Sequence, residues 1–216
     1  MFFSGCISFQ KQPGPGETME EIPPEPELSW EILDYRNKAS GGTIPQWLSS
    51  YLEGGIASVE RLGEFQNYYV FVSVNSGTNY NALEQWNAGF SPDLDFPRLV
   101  AMRIEKRFLD AATTYPDDAY GGYYIALIRS ASDALWRGAV RDSDFWLHRS
   151  FVDANDVEGL EAIRESYDYF VLVKAEKKIL TPQITELLKS IKPETALSSD
   201  QAAAVKQVQD RFFERF

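Results

Sequence analysis

The period of the apolar positions changes several times along the chain, and each period predicts an element. Between Ser29 and Leu62 apolar residues recur at helical spacing, with Trp47, Leu48, Tyr51 and Leu52 ahead of Gly54-Gly55 and Ile56, Val59 and Leu62 behind it. The spacing predicts two short helices broken at the glycines. Residues 67–74 read NYYVFVSV and are closed by Asn75-Ser76-Gly77, which predicts a strand. Its almost unbroken apolar character predicts a central place in a sheet. Ala82, Leu83 and Trp86 start a short helix that Gly89 and Pro92 stop. A long helix follows, with Asp95 as N-cap, Pro97 in the first turn and Val100, Ile104, Phe108 and Ala111 on one face, up to Tyr115-Pro116. Tyr124, Leu127, Ile128, Ala131 and Leu135 mark another helix, closed by Gly138.

Then the period drops to two. Phe145, Leu147, Arg149 and Phe151 alternate with Trp146, His148 and Ser150, and Tyr167, Tyr169, Val171 and Val173 share one face of residues 166–175. An antiparallel hairpin with a long polar loop, Asp153 to Glu165, is the simplest pairing of these two strands. Thr181-Pro182 opens a further helix that Lys192-Pro193 ends, and Ser198 with Gln201 forms a capping-box pattern ahead of a last helix bearing Val205, Val208 and Phe212. The element order reads α-β-α-α-β-β-α-α, an α+β domain in which helices cover a small, mainly antiparallel sheet. Val171 and Ile104 are expected in its core, and no internal repeat is present.

The beginning of the chain has a different composition. Met1-Phe2-Phe3-Ser4-Gly5-Cys6 is a short apolar stub ending in small residues and a cysteine. It resembles the end of a bacterial lipoprotein signal peptide, in which small residues precede the cysteine that is acylated. That resemblance implies a lipid anchor on Cys6. A charged region and most of the apolar region of such a peptide are missing, which implies either a trimmed chain or a misplaced start codon. Residues 11–28, KQPGPGETMEEIPPEPEL, carry five prolines and five glutamates. Such a segment extends at about 3.1 Å per residue, so it reaches roughly 50 Å. The expected organisation is a signal remnant, lipidation cysteine and stalk over 1–28, then a single globular domain over 29–216.

Charge and residue counts exclude several functions. With 21 basic and 32 acidic side chains the net charge is -11, so a phosphate backbone is repelled and no nucleic-acid partner is expected. No run of 18 apolar residues is present, which argues against a spanning helix. One cysteine forbids an internal disulfide, and one histidine excludes metal sites that need two imidazoles. No cofactor is expected, because neither a Gly-x-x-x-x-Gly-Lys nor a Gly-x-Gly-x-x-Gly string occurs.

The remaining candidate chemistry is thin. His148 lacks a Gly-x-Ser-x-Gly partner and reads as a partly buried strand histidine. The acidic groups Asp142-Ser143-Asp144, Asp93-Leu94-Asp95 and Asp153 to Glu158 lack the spacing of a calcium loop, and Asp95 and Asp153 to Asp156 read as cap and turn chemistry. An aromatic cluster is the better candidate. Tyr115, Tyr120, Tyr123 and Tyr124 surround Asp117 and Asp118, and Trp86 and Phe90 lie in another short loop region. Aromatic faces beside carboxylates bind sugar rings or cationic groups, so Trp86, Tyr115, Asp117, Asp118 and Tyr120 are the candidate ligand-binding residues. Packing is the competing explanation, since Tyr124 also belongs to the apolar face of its helix.

Several of these segments fall in the order of a known group. Pro45-Gln46-Trp47, Tyr69 to Val74, the alanine-bearing helix Ala101 to Ala112, Phe145-Trp146 and Tyr169-Phe170-Val171-Leu172-Val173-Lys174 resemble the plan of small bacterial outer-membrane lipoproteins of the Lpp-twenty type. Their domain also occurs at the N-terminus of the flagellar assembly protein T. The resemblance covers roughly residues 45 to 180 and implies an envelope location, envelope protein partners and an adaptor role without catalytic residues. The expected function is a lipid-anchored, non-catalytic binding or assembly module. Two alternatives remain: an envelope glycan hydrolase with paired carboxylates, or a solute-binding module built on the tyrosine-rich loop.

Overall fold

The computed structural model describes residues 28–112, 120, 122–153, 164–193 and 196–216. Four strands, β1 (Leu28–Tyr35), β2 (Tyr68–Gly77), β3 (Ala139–Asp153) and β4 (Arg164–Glu176), form one antiparallel sheet in the order β1-β3-β4-β2. Among the described residues six α-helices accompany it: α1 (Gln46–Glu60), α2 (Tyr80–Gly89), α3 (Pro92–Ala112), α4 (Tyr123–Asp133), α5 (Lys177–Ser190) and α6 (Ser199–Arg211). The domain is α+β, as its pattern predicts.

Side chains alternate across each strand, and both faces of the sheet are apolar at its centre. Phe71, Val171 and Val173 face a large core filled by Ile104 and Phe108 of α3, Leu127 of α4, Ile184 of α5 and Val208 of α6. Val70, Phe145, Phe170 and Leu172 face a smaller core closed by Trp47, Leu48 and Val59 of α1. Val171 and Ile104 are fully buried. The capping box of α6 is present, Ser198 accepting from the Gln201 amide and Gln201 reaching back to the Ser198 amide.

The structure corrects the pattern in several places. The first described element is a strand, not a helix: Trp30 and Ile32 alternate with Glu31, and β1 pairs with β3 from Leu28↔Asp153 to Tyr35↔Leu147. The helical reading holds only from Gln46, where α1 is kinked at Gly54-Gly55. Strand β2 lies at an edge, not at the centre; its apolar run reflects helices on both faces, not strands on both sides. Helix α3 starts at Pro92, and Asp95 sits in its first turn, accepting from the Ser91 amide at 3.1 Å. Helix α5 starts at Lys177, directly out of β4, so Pro182 lies inside it. Strand β3 also begins before Phe145, at Ala139, and α4 ends at Asp133, ahead of Gly138 with its φ of 92°.

Candidate functional site

Of the candidate ligand-binding residues, Trp86 and Tyr120 are among the described residues. Cys6, Tyr115, Asp117 and Asp118 lie outside those residues. Tyr120 is buried at 6% exposure, donates its hydroxyl to the Ala112 carbonyl at 2.8 Å and meets the Phe108 ring edge-on. Tyr123 is likewise buried and donates to the Leu188 carbonyl at 2.8 Å. Tyr124 donates to Glu105 at 2.8 Å, and burial first, then that carboxylate, push its phenol up to about 12. Trp86 stands on α2, edge-on to Phe90 and Tyr169.

Beside Trp86 the fold gathers a polar cluster from four elements. Arg36, just past β1, donates to the Asp144 carbonyl at 3.0 Å, to the Asp144 carboxylate and to the Tyr169 hydroxyl oxygen. Arg141, on the same strand as Asp144, donates to the other carboxylate oxygen at 2.9 Å and to the Asn87 side-chain oxygen at 2.6 Å. Asn87 donates in turn to the Tyr169 hydroxyl at 3.0 Å, and that hydroxyl donates to Asp144 at 3.2 Å. Burial alone would raise the Asp144 carboxyl, but Arg36 and then Arg141 outweigh it and hold the group below the ordinary carboxylate value. Tyr169 moves the other way: burial first, opposed by Arg36 and reinforced by Asp144, pushes its phenol up to about 12.

A ring array continues from this cluster along the same sheet face. Tyr80, the first residue of α2, meets Trp146 at 5.3 Å and Tyr167 at 5.5 Å between ring centroids, both edge-on. The His148 imidazole lies flat on Tyr167 at 4.2 Å, and its Nε2 is 3.0 Å from Glu165. Tyr80, Trp146, His148 and Tyr167 are all half-buried, so each shows part of its surface to water. The alternation of β3 was a legible signal here, since it sets Trp146 and His148 opposite the core residues Phe145 and Leu147. Arg36, separated from Asp144 by 108 residues, had no such signal, because only the β1–β3 pairing joins them.

The cluster is chemically quiet. An acid held ionised by two guanidiniums is the reverse of a general acid, which needs a raised carboxyl. Among the described residues no group of three or more His, Cys, Asp and Glu side chains could hold a metal ion. None of the described helices is long and apolar enough to cross a membrane. Compared with family models, curated proteins and solved structures, the chain matches none. The likeness to the Lpp-twenty lipoproteins thus rests on the quoted residues alone.

Proposed function

We propose that the protein is a non-catalytic binding or assembly module of the bacterial envelope, tethered through an acylated Cys6. Its folded domain takes a sugar-containing ligand on the open ring array. The observation that carries this reading is the adjacency of half-buried Tyr80, Trp146 and Tyr167 to the Arg36–Asp144–Arg141 cluster. Ring faces stack on the apolar side of a sugar, while flanking guanidinium and carboxylate groups exchange hydrogen bonds with its hydroxyls. The lowered Asp144 supports binding over turnover, because its charge is already committed to two cations.

The test uses the full chain and soluble peptidoglycan fragments. Wild type should bind them saturably and leave them intact, and Trp146→Ala should lose binding while melting within a few degrees of wild type. Turnover abolished by a single Glu165→Gln or Asp144→Asn change would replace this reading with a glycan hydrolase. With a complete signal peptide the protein should enter the detergent phase and Cys6→Ser should remain aqueous; equal partitioning would remove the anchor.

A further inference from the structure

The two edges of the sheet are finished differently. On β1 a register break between Ile32 and Asp34 interrupts the ladder, and the Lys38 ammonium donates to the Leu33 carbonyl at 2.5 Å. On β2, among the described residues, one residue is closed in this way. The Val70 amide donates to Glu60 at 2.7 Å and its carbonyl accepts from Arg103 at 2.9 Å, while Arg103 and Glu60 hold each other through two bonds of 2.8 and 3.1 Å.

Those bonds reveal the orientation of the whole edge. Val70 points its amide and carbonyl outward, so in an antiparallel strand of regular register Val72 and Val74 do the same. Among the described residues neither Val72 nor Val74 has a backbone partner on that side. An unpaired ladder next to apolar side chains is a template for another strand, and Val74 is 41% exposed.

A cleft of about 360 Å³ runs beside this edge between α1 and α3. Ile56, Val72, Leu99 and Met102 give it an apolar lining, and Met102 is 54% exposed. Its charge is opposite to that of the chain. Arg103, Lys106 and Arg107 stand against Glu60 and Asp110 in the lining, with Arg98 exposed beside Ser73, whereas the chain carries net -11. Glu60 occupies Arg103, but Lys106 makes no ion pair among the described residues.

We propose that this edge takes an extended acidic peptide from a partner protein, added as a fifth strand beside β2. The peptide backbone would pair with Val72 and Val74, its apolar residues would rest on Val72 and Ile56 on the α1 side, and its alternate carboxylates would meet Lys106 and Arg98 on the α3 side. The site is distinct from the ring array, so it stands or falls separately from the sugar-binding reading.

The probe is a labelled, end-blocked peptide of alternating glutamate and valine, titrated into the full chain and followed by fluorescence anisotropy. Saturable binding is expected, weakened roughly tenfold when lysine replaces glutamate in the probe or by Lys106→Glu in the protein. N-methylation of alternate probe amides should abolish it. So should Val74→Pro, which removes an outward donor where an edge strand tolerates proline; a melt checks that this variant folds. Should Val74→Pro unfold the domain, the N-methylated probe and Lys106→Glu decide the matter alone. Absence of saturable binding would overturn the proposal, as would equal binding of the N-methylated probe. Self-association of the wild-type chain through β2 without probe binding would make the occupant a second copy, and would also overturn it.

Discussion

Among the described residues one face of the sheet is covered by α2 to α6, the other by α1 and the short turn that carries Phe65, and the two faces make different use of their residues. The thick side buries Phe71, Val171 and Val173 under side chains from several helices, so its core holds together even where a single contact is weak. The thin side depends on one kinked helix, whose Trp47, Leu48 and Val59 meet Phe145, Phe170 and Leu172. Beyond the reach of α1, that face ends in Trp30 at 42% exposure and in the buried Asp168, held by Arg149 and Ser76. Strand β4 lies where both kinds of cover meet, and there the apolar run has no polar interruption from Tyr169 to Val173. A continuous apolar strand reports cover on two faces. It does not report how many strands flank it.

The largest expected effect tests whether both faces are indispensable. Val171 and Leu172 are neighbours on β4, fully buried on opposite sides. An unpaired carboxylate in either place costs several kcal/mol, comparable with the roughly 5 to 15 kcal/mol that holds a domain folded. Val171→Asp, Leu172→Asp and Ile104→Asp should each give an unfolded chain by circular dichroism. A folded Leu172→Asp beside an unfolded Val171→Asp would show that the thin face is an accessory layer.

A gentler change sharpens the same contrast. Leu48→Ala on α1 and Ile184→Ala on α5 both remove a fully buried aliphatic side chain and should each cost about 2 to 5 kcal/mol by urea unfolding. They should differ in hydrogen exchange. Leu48→Ala should speed exchange within α1 and leave α3 protected, because the tie between the two helices is the Glu60–Arg103 ion pair at the far end of α1, whereas Ile184→Ala should loosen the thick core as a unit. Identical exchange patterns would mean that the two cores unfold together.

What the sequence made legible follows from this packing. Helices with one apolar stripe, such as α3, were readable because burial on one face imposes a 3.6-residue period. The hairpin of β3 and β4 was readable because local pairing needs no remote partner. Strand β1 was obscured by its break between Ile32 and Asp34, which disturbs the two-residue alternation, and the place of β2 at an edge depends on pairing across about 100 residues of chain. The ring array was half legible. Alternation along β3 offered Trp146 and His148, but Tyr80 and Arg36 join them only through the fold.

A smaller effect concerns how one helix covers its face. Gly55 has φ 66° and ψ -162°, a conformation open only to glycine, and an added Cβ there would meet nothing within 4 Å. Gly55→Ala should therefore cost about 1 to 3 kcal/mol through the backbone alone. The loss should appear in melting temperature and in faster exchange of the second half of α1. An unchanged melt would show that α1 can straighten and still cover Val70 and Phe145.

The smallest effect lies on the solvent-facing part of the thick side, at Asp144. Arg36 and Arg141 hold its folded-state carboxyl below the ordinary value of 3.8, while the unfolded chain keeps that ordinary value. Between the two values the unfolded chain binds more protons than the folded one, so stability rises with pH across that interval. The contribution is complete above the unfolded value and disappears as pH falls through the folded one. The ion pairs are partly exposed, with side-chain exposure of 30% for Arg36, 28% for Arg141 and 21% for Asp144, so water screens them and the gain should stay below about 1 kcal/mol. Asp144→Asn removes the charge and keeps the shape. Urea midpoints of wild type and variant should differ at neutral pH, then converge once the pH has fallen through the folded-state value, below which the wild-type carboxyl is protonated in both states. A constant offset down to that pH would mean that Asp144 acts through hydrogen-bond geometry alone, and that its two guanidinium partners add nothing through charge.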